Sequence, residues 1–136
     1  AVAAYRRALR LRPSHPETRY NLANALMALN RFEEALREYR WVVRLRPGFL
    51  GVQANIGTLL EAQGNLPEAL EAYRAEVGLQ PDRADILGRL GDALLKARQS
   101  PEAIEIYRRA LEVEPNNVRI HLQLIVEYYV KVFTLF

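Results

Sequence analysis

Residues 35–47 read Ala35-Leu-Arg-Glu-Tyr39-Arg-Trp-Val-Val-Arg-Leu45-Arg-Pro47, and the same frame returns along the chain every 34 residues. Pro13, Pro47, Pro81 and Pro115 keep step with Tyr5, Tyr39, Tyr73 and Tyr107. So do Ala1, Ala35, Ala69 and Ala103, and Leu11, Leu45, Leu79 and Val113. A self-similar period of this length marks a stacked array, in which each unit buries its apolar face only against its neighbours. Such an array offers a long surface rather than an enclosed catalytic pocket, so the repeat points to binding.

Within the period the spacing is helical. Leu22, Ala25, Leu26 and Leu29 recur on one helical face, as do Ala35, Leu36, Tyr39, Val42 and Val43 in the next segment. Small residues at Ala23, Gly57 and Gly91, and at Ala35, Ala69 and Ala103, let paired helices approach closely. Ser100-Pro101-Glu102 reads as an N-cap, a first-turn proline and a first-turn acid, and Asn65-Leu66-Pro67-Glu68 is a looser version. The prolines at 47, 81 and 115 stop the preceding helices, because proline cannot continue the hydrogen-bond ladder. Helices are therefore expected near 1–12, 16–29, 33–46, 50–63, 67–80, 84–97, 101–114 and 118–133.

The pattern resembles the tetratricopeptide repeat, a 34-residue helix-turn-helix unit with Trp-x-x-Leu-Gly-x-x-Tyr in its first helix and Ala-x-x-x-Phe then Pro in its second. Ala35-x-x-x-Tyr39 leads to Pro47, Ala69-x-x-x-Tyr73 to Pro81, and Ala103-x-x-x-Tyr107 to Pro115. The first-helix half is looser: Leu22-Ala23-x-x-Leu26, Ile56-Gly57-x-x-Leu60 and Leu90-Gly91-x-x-Leu94, with Arg19, Gln53, Leu87 and His121 in place of the tryptophan. The resemblance implies an all-α, right-handed solenoid forming a single domain. Its parts would be a second helix at 1–15, full repeats at 16–49, 50–83 and 84–117, and a terminal apolar helix at 118–136. First helices would line the concave side and second helices the convex side.

Charge is unevenly spread. Residues 1–47 hold ten arginines against four acids, whereas residues 48–117 hold seven basic and eleven acidic residues. The early excess sits on second helices, at Arg6, Arg7, Arg10 and Arg12, then Arg37, Arg40, Arg44 and Arg46. No nucleic-acid motif accompanies this stripe, so a solvated face is expected and nucleic acid is not. No run of 18 apolar residues and no signal-peptide pattern occurs in these residues, so neither a membrane nor secretion is expected, and the cytoplasm is the expected compartment. The chain has no cysteine, which removes disulfides and thiolate metal sites.

Catalytic chemistry finds no foothold. There is no glycine loop for phosphate and no His-Glu-x-x-His, and the two histidines, His15 and His121, lie about three repeats apart. Ser14-His15 reads as a connector before Pro16, and acids such as Glu33, Glu34, Asp82 and Asp85 suit helix first turns. No enzyme activity, metal or cofactor is expected.

The expected site is the concave groove. Asn21, Asn55, Arg89 and Gln123 supply one polar side chain per repeat, and Asn24, Thr58 and Asp92 follow three residues further on. Carboxamides donate and accept together, so a ladder of them can hold the backbone of an extended peptide. Asn21 and Asn55 resemble the ladder of the repeats attached to O-linked N-acetylglucosamine transferases; Arg89 and Gln123 depart from it. The clamp of co-chaperone repeats is matched by Asn24, Asn55 and Arg89, but Tyr20 and Asp85 stand at its two lysine positions. Asp85 would repel the carboxylate that such a clamp holds, and Arg89 could instead pair with Asp92 one helical turn on. The leading expectation is a non-enzymatic scaffold for a protein or peptide partner. The alternative is a substrate-recruiting module of a larger enzyme such as a protein O-glycosyltransferase, for the chain begins within a repeat.

Residues 118–136 are apolar around most of a helix. Alternation from Val118 to Val132 also suits a strand, but the repeat register favours helix. Ile125 stands where earlier repeats have Ala23, Gly57 and Gly91, so a close partner helix would clash there. Leu122, Ile125, Tyr129, Val132, Phe133 and Phe136 would then form an apolar patch fit for self-association, most simply as a two-fold homodimer.

Overall fold

A computed structural model describes residues 1–134, and over these the chain is helical throughout. The helices are α1 (Val2–Leu11), α2 (Pro16–Ala28), α3 (Phe32–Leu45), α4 (Val52–Ala62), α5 (Leu66–Leu79), α6 (Ala84–Lys96), α7 (Ser100–Val113) and α8 (Val118–Thr134). The expected segments all form helices, and 118–134 takes the helical rather than the extended form. The helices α2 and α3, α4 and α5, and α6 and α7 make the most extensive pairs, and α3 packs on α4 and α5 on α6 to carry the stack forward.

Two kinds of turn repeat with the period. After each first helix, residues 30, 64 and 98 adopt left-handed backbone, with φ of 60° at Asn30, 78° at Gly64 and 60° at Arg98. This reversal lets Arg31, Asn65 and Gln99 donate their backbone N–H to the carbonyls of Leu26, Leu60 and Leu94 at 2.8–2.9 Å, closing the helix end. After each second helix the proline takes the second position of a tight turn. Phe49 donates to Arg46 O at 3.1 Å and Asn117 to Glu114 O at 3.1 Å.

Helix starts are more varied than the sequence implied. Asn65 caps α5 through Oδ1, which accepts from Glu68 N–H at 3.4 Å. His15, which read as a connector, is the N-cap of α2, and its Nδ1 accepts from Thr18 N–H at 3.3 Å. Ser100 corrects the expected cap: it is the first residue of α7, Gln99 holds the cap position, and no side chain caps the helix. The start of α4 is served from another helix. Glu76 on α5 is fully buried, and its Oε1 accepts N–H from Gly51 at 2.9 Å and Ala54 at 3.2 Å, while Oε2 accepts from Gln80 Nε2 at 2.9 Å. A buried carboxylate against free helix N–H groups satisfies both the charge and the donors.

The core is organised by three fully buried tyrosines, Tyr39, Tyr73 and Tyr107. A Cβ placed at Gly57 would come within 2.7 Å of the Tyr73 ring, and one at Gly91 within 2.5 Å of the Tyr107 ring. These glycines are therefore the slots in which the rings lie. Along the second helices runs an ion-pair ladder with the same period: Arg6–Glu34 at 3.2 Å, Arg40–Glu68 at 3.4 Å and Arg74–Glu102 at 2.9 Å. The early arginine stripe is thus partly neutralised by the following repeat. Exposed pairs of this kind are each worth well under ~1 kcal/mol.

Burial pushes the Tyr39, Tyr73 and Tyr107 phenols above the ordinary tyrosine range, Tyr73 to about 12. Unfolding restores values near ~10, so the unfolded chain sheds these protons first. Stability is then complete below about pH 10 and is lost as pH climbs toward the folded values. In a spectrophotometric titration of the seven tyrosines, these three should ionise only as the fold is lost; early, independent ionisation would contradict the burial. Separately, Glu76→Ala leaves two helix N–H groups without an acceptor and should cost about 2–4 kcal/mol in urea unfolding. A loss within ~0.5 kcal/mol would mean that α4 does not depend on the carboxylate.

Candidate functional site

The first helices α2, α4, α6 and α8 present a face whose polar side chains are partly committed to the core. Each buried tyrosine passes its hydroxyl outward to this face. Tyr39 donates to Asn24 Oδ1 at 2.5 Å, Tyr73 to Glu61 Oε1 at 2.9 Å with Thr58 Oγ1 at 3.3 Å, and Tyr107 to Asp92 Oδ1. The row Asn24, Thr58 and Asp92 therefore anchors the tyrosines, and its members enter the groove only with the hydrogen-bonding capacity left over. Asn24 keeps its amide N–H groups; Thr58 also bonds Ala54 O at 3.1 Å.

The other predicted residues divide by repeat. Asn21 is exposed and has no hydrogen-bond partner among the described residues. Tyr20 is half-buried, with its ring 5.0 Å from that of Phe49 and 6.1 Å from that of Tyr39. Its hydroxyl accepts from Asn55 Nδ2 at 3.5 Å, which ties Asn55 to the preceding repeat. Arg89 does not pair with Asp92 as the helical spacing implied. It reaches back instead to Thr58 Oγ1 at 3.5 Å, while Asp92 is held by Arg119 from α8 at 3.1 Å. Gln123 is half-buried and has no bonded partner among the described residues.

Two further residues belong to this face and were not singled out from sequence. Glu61 accepts from Tyr73 and pairs with Lys96 at 2.5 Å, and that bond raises the Lys96 ammonium above its ordinary range. Their signal in the sequence was faint, since the repeat equivalents of Glu61 are Met27 and Leu95. Asp85 is paired with Arg83 at 2.8 Å, and the guanidinium holds its carboxyl below the usual range. Among the described residues no group of His, Asp or Glu side chains could hold a metal ion, and no helix is long and apolar enough to cross a membrane.

At the end of the stack, α8 buries Ile120 and Leu124 and leaves the rest of its apolar surface open. Tyr129 is 64% exposed, Ile125 and Phe133 61%, Leu122 56%, and Val126 and Val132 52%. Phe136, expected in the same patch, lies outside the described residues. The tyrosine slot is gone from this helix: Ile125 replaces the small residue and Val126 replaces the acceptor at 24, 58 and 92.

Comparison with solved structures places the chain among repeat proteins of this architecture. MamA from Desulfovibrio magneticus RS-1 superposes with a TM-score of 0.86 at 24% identity, over 96% of this chain and 73% of that one. YrrB, described as a TPR protein with an unusual peptide-binding site, gives 0.81 at 22% identity, over 91% of this chain and 64% of its own. The first TPR of Spaghetti (RPAP3), solved with the HSP90 peptide SRMEEVD, gives 0.79 at 20% identity, over 86% of this chain and 93% of that one. At these identities the likeness establishes the fold alone. Among curated proteins no sequence matches. The family model described as tetratricopeptide repeat matches residues 1–48, 20–84 and 54–118, and with the tyrosine slots and 34-residue register on the same residues, the chain belongs to the tetratricopeptide repeat family.

Proposed function

We propose that the chain is a protein-interaction module that holds an extended peptide on its first-helix, concave face and does no chemistry on it. The observation that carries this reading is a line of side chains with unspent hydrogen-bonding capacity: Asn21, the amide N–H groups of Asn24, Arg89 and Gln123. Fixing Asn24 by its tyrosine aims the amide as a donor for a peptide carbonyl, at little entropic cost on binding. Tyr20 and Asn55 bridge two repeats through one hydrogen bond at 3.5 Å. Arg89, with only one long bond, is the cation best placed to meet a carboxylate on the peptide. The peptide bound to RPAP3 and the peptide-binding site named for YrrB support peptide binding as a use of the fold.

The apolar face of α8 supports a second contact, with another copy of the chain. Leu122, Ile125, Tyr129 and Phe133 recur at helical spacing on one face of α8 and are each more than half exposed, while Glu127 and Lys131 fall on the other side of the helix. Ile125 and Val126 deny this face the small residue and the acceptor that seat a tyrosine in the earlier repeats. Two copies of α8 packed antiparallel about Ile125 would instead match stripe to stripe, as a two-fold interface requires.

For the groove, a peptide selected against the chain from a random library supplies the probe. Changing Asn21 and Asn55 together to Ala should weaken it by about 1–3 kcal/mol in calorimetry, with the fold intact. An unchanged dissociation constant removes the amides from the mechanism. For α8, light scattering at micromolar concentration should report a dimer for the intact chain and a monomer for Ile125→Glu/Phe133→Glu. A monomeric intact chain would end the dimer reading and leave the groove untouched.

A further inference from the structure

The second-helix side of the array carries a groove between each pair of successive second helices, floored by the first helix between them. Three residues per repeat decide how full each groove is: positions 19, 38 and 41, then 53, 72 and 75, then 87, 106 and 109. In the first groove they are Arg19, Glu38 and Trp41. Arg19 pairs with Glu38 at 2.8 Å and lies 5.1 Å from the centre of the Trp41 ring, so the indole lies over this pair while staying 43% exposed. In the third they are Leu87 and Ile106, both buried, and Arg109, half-buried. In the middle groove they are Gln53, Ala72 and Ala75, and there an open pocket of about 400 Å³ remains. Its floor is apolar, with Val43, Ile56, Leu60 and the two alanines.

We propose that this middle groove is a docking site for one tryptophan side chain of a partner protein. The choice of group rests on the repeat: Trp41 stands one period before Ala75, with its ring stacked against Arg19 from the adjoining first helix. The walls agree in charge. Arg40 and Arg44 stand on the α3 side; Arg40 is paired across the groove with Glu68 at 3.4 Å, which leaves the Arg44 guanidinium to complement the electron-rich face of an indole ring. On the α5 side Glu71 supplies a carboxylate that can accept the indole N–H, the one polar handle that separates tryptophan from phenylalanine or leucine. Arg44 already lies 5.1 Å from the Trp41 ring, so a docked indole would extend a stack that exists. The site is on the opposite side of the array from the peptide groove and does not depend on it.

The test uses N-acetyl-tryptophanamide as the probe against the isotope-labelled chain, followed by amide NMR shifts. Saturable shifts should cluster at Val43, Ile56, Leu60, Ala72 and Ala75, and N-acetyl-leucinamide should bind at least several-fold more weakly. Ala75→Trp fills the groove from within and should abolish the shifts while leaving the chain folded. Should that variant misfold, Gln53→Arg/Ala72→Glu rebuilds the Arg19–Glu38 pair of the first groove and should also close the site. Equal binding of the leucine probe, shifts confined to the α8 face, or binding that survives closure of the groove would each overturn the proposal.

Discussion

The whole array rests on a tyrosine ring lying in a slot that only a very small residue leaves open. Each ring buries a large apolar area between two helices and hands its hydroxyl to a polar side chain at the surface, so one residue supplies both packing and orientation. Because a Cβ at Gly91 would approach the Tyr107 ring to 2.5 Å, the helix pair has a single close-packed register. Repetition of that register at Tyr39, Tyr73 and Tyr107 sets the pitch of the stack, and the ion pairs along the second helices follow from it rather than create it.

That constraint explains why so much of the fold was legible. Prolines, tyrosines and small residues 34 apart describe helices, turns and slots at once, and each local signal agrees with the global one. What escaped was whatever depends on a contact made across the chain. Glu76 caps α4 from the neighbouring helix, and its repeat equivalents are Val42 and Ala110, so no periodic signal could announce it. His15 caps through a ring nitrogen, and imidazole is outside the usual set of capping side chains. Ser100 has the right chemistry but lies one residue too far into the helix.

The candidate groove was legible as a set of positions and not as a set of free groups. Spacing places Asn24, Thr58 and Asp92 on one face but does not reveal that a tyrosine from the partner helix claims each of them. The same tyrosine has a different effect in each repeat. With Asn24 it leaves a donor free, with Thr58 it leaves little, and with Asp92 a second claim comes from Arg119. Of this row, Asn24 is therefore the member with donors to spare, and Asp92, nearest α8, is the most fully claimed.

Departures from the repeat carry the individuality of the chain, and they act by removing one part of the slot or its surroundings. Gln53, Ala72 and Ala75 remove bulk and open a groove, whereas Ile125 and Val126 add bulk and remove an acceptor. Both outcomes follow from close packing: where every neighbour is seated against a ring, a missing side chain is a vacancy of defined shape, and an extra methyl group is a barrier. Open grooves and uncovered apolar faces in such an array therefore arise where the periodic packing fails, while the intact periods hold them at fixed spacing. In this chain the two failures lie on different elements, one on the second-helix side of 50–83 and one on α8, so neither would need the other to move in order to be occupied.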